Sequence, residues 1–177
     1  KLVTSIGACN VMTMFEGGAA HAIAREMRRY KLSILGVSET HWTQSGETRL
    51  QSGETVIFSG HQGERAAHSE GAGFFLSKEA RKALIQWEPV SPRIITAKLQ
   101  TREKKINLVI VECYASTNSA EEDEKNRFYD QLQSVMHTIC KRDIVILMGD
   151  FNAKVGEVNT GYELIMGKHG LGSMNEN

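Results

Sequence analysis

The sequence predicts an α/β fold, on three observations. Short apolar runs lack the polar alternation of half-exposed strands, so they read as strands buried on both faces. Amphipathic helices lie between those runs. Glycines mark the turns, 16 of them against only two prolines. The chain has 177 residues, of which 41% are hydrophobic, which suits one domain with its own core.

Taken in order, residues 3–8 form a strand that ends at Cys9-Asn10. Ala20, Ile23, Ala24 and Met27 recur at helical spacing, so 19–30 is a helix with Arg25, Arg28 and Arg29 on its outer side. Residues 32–37 are a buried strand ending in Ser38-Glu39-Thr40. Strands are expected at 54–59 and 72–77, with turns at Gly53, Gly60, Gly63 and Gly71. The runs 93–100 and 106–113 flank Thr101-Arg102-Glu103-Lys104-Lys105 and make a hairpin with a charged turn. Ser119-Ala120-Glu121-Glu122 matches a capping box, and Phe128, Leu132, Val135, Met136 and Ile139 form the apolar stripe of the helix that follows. The acids at 121–124 then lie at the positive end of the helix dipole, a solvated helix start. Residues 144–148 are read as another buried strand, ending in Gly149-Asp150-Phe151-Asn152. After residue 156 the pattern fades into a glycine-rich loop.

Several function classes are disfavoured at once. No window approaches the ~18 unbroken apolar residues of a membrane span, so no membrane partner is expected. Cys9, Cys113 and Cys140 are far apart and odd in number, which fits reduced thiols rather than a disulfide framework or a thiolate metal site. A formal net charge of +0 argues against tight non-specific binding to DNA, but not against catalysis on a phosphodiester, where the local field decides.

The chemistry gathers at strand ends. Asn10, Glu39, and the pair Asp150 and Asn152 each follow a predicted buried strand, and Tyr114 follows a fourth run. Such positions can converge at one rim of a sheet. Oxygen-rich groups without Cys or His spacing favour a hard cation, Mg²⁺, with Mn²⁺ as the alternative. Glu39, Asn10, Asp150 and Asn152 are the candidate ligands. Asp150 is placed to orient and deprotonate a water. Asn10, Asn152 and Tyr114 offer donors to phosphate oxygens as charge builds. Each residue also has a plain reading: a helix cap for Glu39, Asx-turns for the asparagines, half-buried packing for Tyr114.

The motifs resemble those of the endonuclease/exonuclease/phosphatase superfamily. Gly7-Ala8-Cys9-Asn10-Val11 resembles its first motif, Ser38-Glu39-Thr40-His41-Trp42 its second, Cys113–Asn118 the motif with the active-site Tyr, and Gly149-Asp150-Phe151-Asn152-Ala153 its Gly-Asp-x-Asn motif. Residues 30–43, 76–90 and 166–177 resemble, more narrowly, the endonuclease domain of RTE-type non-LTR retrotransposons. The resemblance implies a two-sheet α/β sandwich backed by helices, a Mg²⁺-dependent nicking activity on DNA, and an intracellular, nuclear location. Cys9, Met12 and Ser116 depart from the family's common Trp, Arg and Pro.

The family also carries a later Asp and a Ser-Asp-His motif that these 177 residues do not contain, and His169 is not a substitute. The expectation is therefore a partial domain over 1–177, short of strands in its second sheet, weakly stable, and weak or inactive alone. Two alternatives stand beside the nuclease: a catalytically dead binding or scaffold fragment, and the same fold acting in abasic-site repair or on a phospholipid phosphodiester.

Overall fold

A computed structural model describes residues 4–63, 65–167 and 169–175. Among the described residues nine strands and three helices follow one another as β1 (Ile6–Asn10), α1 (Ala19–Arg29), β2 (Ile34–Ser38), β3 (Ser45–Arg49), β4 (Thr55–Ser59), β5 (Ala72–Leu76), α2 (Lys78–Ala83), β6 (Leu84–Ser91), β7 (Ile94–Gln100), β8 (Asn107–Tyr114), α3 (Glu122–Thr138) and β9 (Ile144–Asp150). They build two sheets, in the orders β1-β2-β5-β4-β3 and β6-β7-β8-β9.

The two sheets face each other across an apolar layer. Ile34, Ile57, Phe74 and Leu76 come from the first, and Ile95, Ala97, Leu99 and Ile110 from the second. Each sheet has a helix on its outer face. Ala24 and Met27 of α1 pack on Leu35, Val37, Val56 and Phe75. Phe128 and Leu132 of α3 pack on Val109, Val111 and Cys113. Successive strand residues point to opposite faces, so Phe74 and Phe75 serve different cores and both are fully buried. This is why β2 and β5 have no polar alternation: every residue of each is buried.

The parallel pairs position the site. β1 pairs with β2 and β8 with β9 in parallel, each through a helical crossover. Both pairs therefore end at the same side of their sheets. β1 and β2 also pack against β9, which brings the four strand ends together.

Several expectations need correction. Residues 144–148 do form a strand, but not a buried one. β9 is the sheet's edge, and Ile144, Val145 and Leu147 are exposed. Val145 and Leu147 lie beside Val109 and Val111 in register, and α3 covers only the latter two. The capping box at Ser119 does not form. The cap of α3 is Glu121, with no side-chain cap bond, and the Ser119 hydroxyl meets that of Thr117 instead, 3.2 Å away. β3, α2 and β6 were absent from the sequence reading. Ser45–Arg49 is mostly polar and exposed, and β6 is an edge strand that tolerates Pro89. Residue 3 of the first expected strand, and the last two residues of the chain, lie outside the described residues.

Candidate active site at the junction of the two sheets

The site is built from the ends of the two parallel pairs. Asn10 is the last residue of β1, in register with Ser38 of β2, and Glu39 follows directly. Tyr114 and Asp150 are register partners at the ends of β8 and β9. Asn10 crosses the junction: its Nδ2 donates to Asp150 Oδ2 at 2.8 Å. The other oxygen, Asp150 Oδ1, accepts the Asn152 backbone N–H at 2.9 Å. The Asp150 carboxylate is thus held at both oxygens by partners from both sheets.

The asparagines also keep their local turn roles. Asn10 Oδ1 accepts the Met12 N–H at 2.9 Å, an Asx-type bond. Asn152 stands at φ 48°, and its Nδ2 donates to the Ala115 carbonyl at 2.8 Å, tying the turn after β9 to the turn after β8. In this structure the plain and the functional readings coexist.

Glu39 sits at φ 61°, a left-handed conformation that costs free energy for a residue with a Cβ. The surrounding bonds enforce it, with Thr40 N–H donating to Gly71 O and His41 N–H to Glu70 O. His41 Nε2 comes within 3.8 Å of Glu39 Oε1.

Tyr114 links the carboxylates. Burial pushes its phenol above the ordinary value, and the Glu39 charge adds to this. A hydrogen bond to Glu39 and the Asp150 charge push the same way, while the Arg93 guanidinium opposes them. The hydroxyl therefore stays protonated well into alkaline pH and remains a donor. Tyr114 thus lies within electrostatic reach of both Glu39 and Asp150.

Two features escaped sequence reading. Arg93 stands behind the tyrosine, its guanidinium 5.1 Å from the ring centroid. It donates to the Tyr114 and Ala115 carbonyls at 3.3 Å each and pairs with Glu70 at 3.0 Å and Glu124 at 2.7 Å. So one acid of the 121–124 run is fastened to the protein rather than left to solvent. An arginine just before a strand carries no motif signal.

Glu112 is the second. It is fully buried, and neither carboxyl oxygen has a hydrogen-bond partner among the described residues. A Cβ on Gly36 would fall 1.9 Å from Glu112 Oε2, so the absence of a side chain on β2 makes the chamber for the acid. Burial pushes this carboxyl well above the usual range, helped by the charge of Asp150. The one available signal was an acid inside the apolar run Leu108–Cys113.

The donor set suits a hard cation. Glu39 and Asp150 supply carboxylate oxygen, and Asn10 and Asn152 supply carboxamide oxygen, with the His41 imidazole 3.8 Å from Glu39 at the edge of the set. Among the described residues no group of three or more His, Cys, Asp and Glu side chains forms a metal site. One or two carboxylates with waters and phosphate oxygens is the usual way of holding Mg²⁺, so the residues present fit that ion.

Fold and site together define a two-sheet α/β sandwich with an acid-and-amide cluster across its sheet junction. The chain matches the model of the Endonuclease/Exonuclease/phosphatase family over residues 15–171, and it belongs to that family. It is 36% identical over 171 residues to craniofacial development protein 2 of Bos taurus, covering 97% of this chain and 27% of that protein. The Tragulus javanicus protein of the same name is 34% identical over 171 residues, with 97% and 28% covered. The chain thus spans about a quarter of the length of these relatives.

Solved structures share the fold. The endonuclease domain of TRAS1, a telomere-specific non-LTR retrotransposon, aligns with TM-score 0.55 at 20% identity, covering 83% of this chain and 58% of that one. An AP endonuclease from Archaeoglobus fulgidus gives 0.59 at 18%, with 86% and 58% covered. The 3′ phosphatase NExo from Neisseria, bound to a product DNA hairpin, gives 0.63 at 14%, with 88% and 60% covered.

Proposed function

We propose that this chain carries the metal-binding site of a Mg²⁺-dependent DNA-nicking endonuclease of retrotransposon origin, acting in the nucleus. The carrying observation is that Asn10, which ends β1 beside the Ser38-Glu39 end of β2, bonds Asp150 at the end of β9 at 2.8 Å, so the acids and amides of both sheets meet at one junction. Family membership supports hydrolysis of a phosphoester. Two solved neighbours that hold DNA, one with a single-strand product and one with a hairpin, support a nucleic-acid substrate. The TRAS1 neighbour supports the retrotransposon origin.

Glu39 would hold the cation, with Asn10, Asp150 and Asn152 completing the protein's share of the ligands. A divalent cation in such a site acts as a Lewis acid toward the phosphodiester and neutralises charge on the leaving oxygen. The chain's own residues do the rest. Asp150 accepts two hydrogen bonds that fix its plane. An ionised carboxylate has about four lone-pair directions, so acceptor capacity remains for the proton of an attacking water. Tyr114, kept protonated, donates to a phosphate oxygen as charge grows there. Asn10 keeps Asp150 aimed across the sheet junction, and the Asn152 turn holds it from the other side.

The test is conversion of supercoiled plasmid to nicked circle in Mg²⁺, in Mn²⁺ and in EDTA, with Glu39→Ala beside the wild type. Weak nicking in either metal that disappears in EDTA and in Glu39→Ala is the expected result. Nicking that survives Glu39→Ala rejects the metal assignment, and a wild-type chain that nicks nothing leaves the binding or scaffold reading in its place. An abasic plasmid and a phospholipid phosphodiester, run in parallel, separate the other two substrate classes.

A further inference from the structure

Beside Glu39 the chain builds an aromatic pocket that the metal chemistry does not use. Its walls include Phe15, His41, Trp42, Phe58 and His68, around a cavity of about 360 Å³. Four of these rings come in two pairs. Trp42 meets Phe58 edge-on, with centroids 5.1 Å apart, and Phe15 meets His68 edge-on at 4.8 Å.

Hydrogen bonds hold these rings in place. Trp42 Nε1–H donates to the Met14 carbonyl at 3.3 Å, and His68 Nδ1 donates to the His41 carbonyl at 3.2 Å. Gly60 permits the close approach beneath, because a Cβ there would fall 1.8 Å from the Trp42 carbonyl oxygen. His41 belongs to both regions, since it lines the pocket and its ring reaches Glu39.

The character of the lining selects the ligand. Among the described residues no Asp, Glu, Lys or Arg side chain lines the cavity, so it offers a phosphate no fixed positive charge. It offers ring faces and edges, with His and Thr polar atoms at intervals, and its volume is at the small end of ligand pockets, about 300–1,000 Å³. A flat, neutral heterocycle with polar edges matches that description. Phe15, 66% exposed, makes no demand on the core from its present position. An exposed phenylalanine lining the same cavity as a tryptophan resembles the stacking platforms on which bases of single strands settle.

We infer that this pocket is a subsite for one unstacked nucleobase of the strand whose phosphate lies at Glu39, with Phe15 and Trp42 supplying the stacking surfaces. The inference rests on the nuclease reading for the position of that phosphate, while the pocket's chemistry stands apart from it. Base stacking on aromatic side chains is sequence-tolerant, so the subsite contributes grip and register more than base choice.

The experiment uses the full chain in EDTA, which permits binding without turnover. The probe is a short oligothymidylate carrying one central 2-aminopurine, whose fluorescence falls when it stacks. Quenching is expected with wild type. Phe15→Ala and Trp42→Leu are each expected to weaken binding about five- to hundredfold. An oligomer of abasic units should bind wild type and both variants alike, and more weakly than the base-bearing probe.

Trp42 is also a structural residue, so exposed Phe15 decides the outcome if Trp42→Leu fails to fold. Phe15→Ala binding the probe as wild type does, or abasic and base-bearing oligomers binding equally, overturns the proposal. So does a wild type that binds neither oligomer. Quenching without plasmid nicking retains the subsite and removes the nuclease reading. Nicking with no effect of Phe15→Ala does the reverse.

Discussion

Tyr114 and Glu112 are two residues apart on β8 and share a face, yet they meet different surroundings. Tyr114 reaches the rim, where its hydroxyl meets Glu39, while Glu112 stays beneath it in the inter-sheet layer. Removing only the hydroxyl isolates the tyrosine's role. Tyr114→Phe keeps the ring against Arg93, so folding should be preserved while nicking falls by about 10²-fold or more, measured as the initial rate on plasmid. Glu112 is an acid with no visible function in that chemistry, and its cost depends on pH. Its folded value is raised above the ordinary 4.5. Below that value both folded and unfolded chains are protonated, and the contribution is fully present. As pH rises from 4.5 through the folded value, the unfolded chain releases its proton first and the folded state loses stability. Glu112→Gln has no such proton. Urea denaturation should show the variant gaining stability over wild type between pH 4 and pH 7, and equal gaps at both pH values would reject the buried, protonated carboxyl.

Among the helices, pattern and outcome parted at the caps. Ser119-Ala120-Glu121-Glu122 has the letters of a capping box, but the last turn before α3 is drawn toward Arg93. That residue bonds both Ala115 and Glu124, so the helix begins at Glu122 and Ser119 is left in the turn. The cap that forms is Ser77 on α2, whose Oγ accepts the Ala80 N–H at 3.1 Å. Ser119→Ala should therefore leave stability within about 0.5 kcal/mol of wild type, whereas Ser77→Ala should cost about 1 kcal/mol. Thermal unfolding of the two variants reads the difference directly, and the reverse ranking would restore the capping box. The next-to-last residue of β9 is Gly149 at φ 132°, where a Cβ would fall 2.0 Å from the Cys113 carbonyl oxygen. Gly149 is thus required twice, for its backbone angle and for the close approach that puts Asp150 beside Tyr114.

For the molecule as a whole, the decisive feature is the junction of two sheets. Neither sheet alone contains the site: Asn10 and Glu39 belong to one, Tyr114, Asp150 and Asn152 to the other. The same architecture leaves β9 at an edge, with Val145 and Leu147 exposed by 37% and 41% on the face that α3 packs against, beside the Val109 and Val111 that it covers. Unpaired backbone beside apolar side chains favours association. Leu147→Lys should shift sedimentation toward the monomer and raise solubility without loss of secondary structure, and an unchanged concentration dependence would show that this edge is not sticky. The metal assignment belongs to this scale too, because Asn10→Ala removes the bond that spans the sheets. It should weaken Mg²⁺-dependent nicking through a higher metal requirement, seen as a rightward shift of the Mg²⁺ titration.

By itself the sequence determined the elements with strong periodicity and the chemistry at their ends. The wholly buried β2 and β5, the stripe of α1, and the oxygen-rich positions Asn10, Glu39, Tyr114, Asp150 and Asn152 were all legible, because apolar run length and side-chain type are local properties. Polar edge strands such as β3 were not, since they owe their pairing to a neighbour rather than to their own pattern. Only the tertiary structure decided that β9 lies at an edge, that Arg93 braces Tyr114, and that Glu112 is enclosed by Gly36. Burial, pairing and charge environment are set by residues distant along the chain, and no local window contains them.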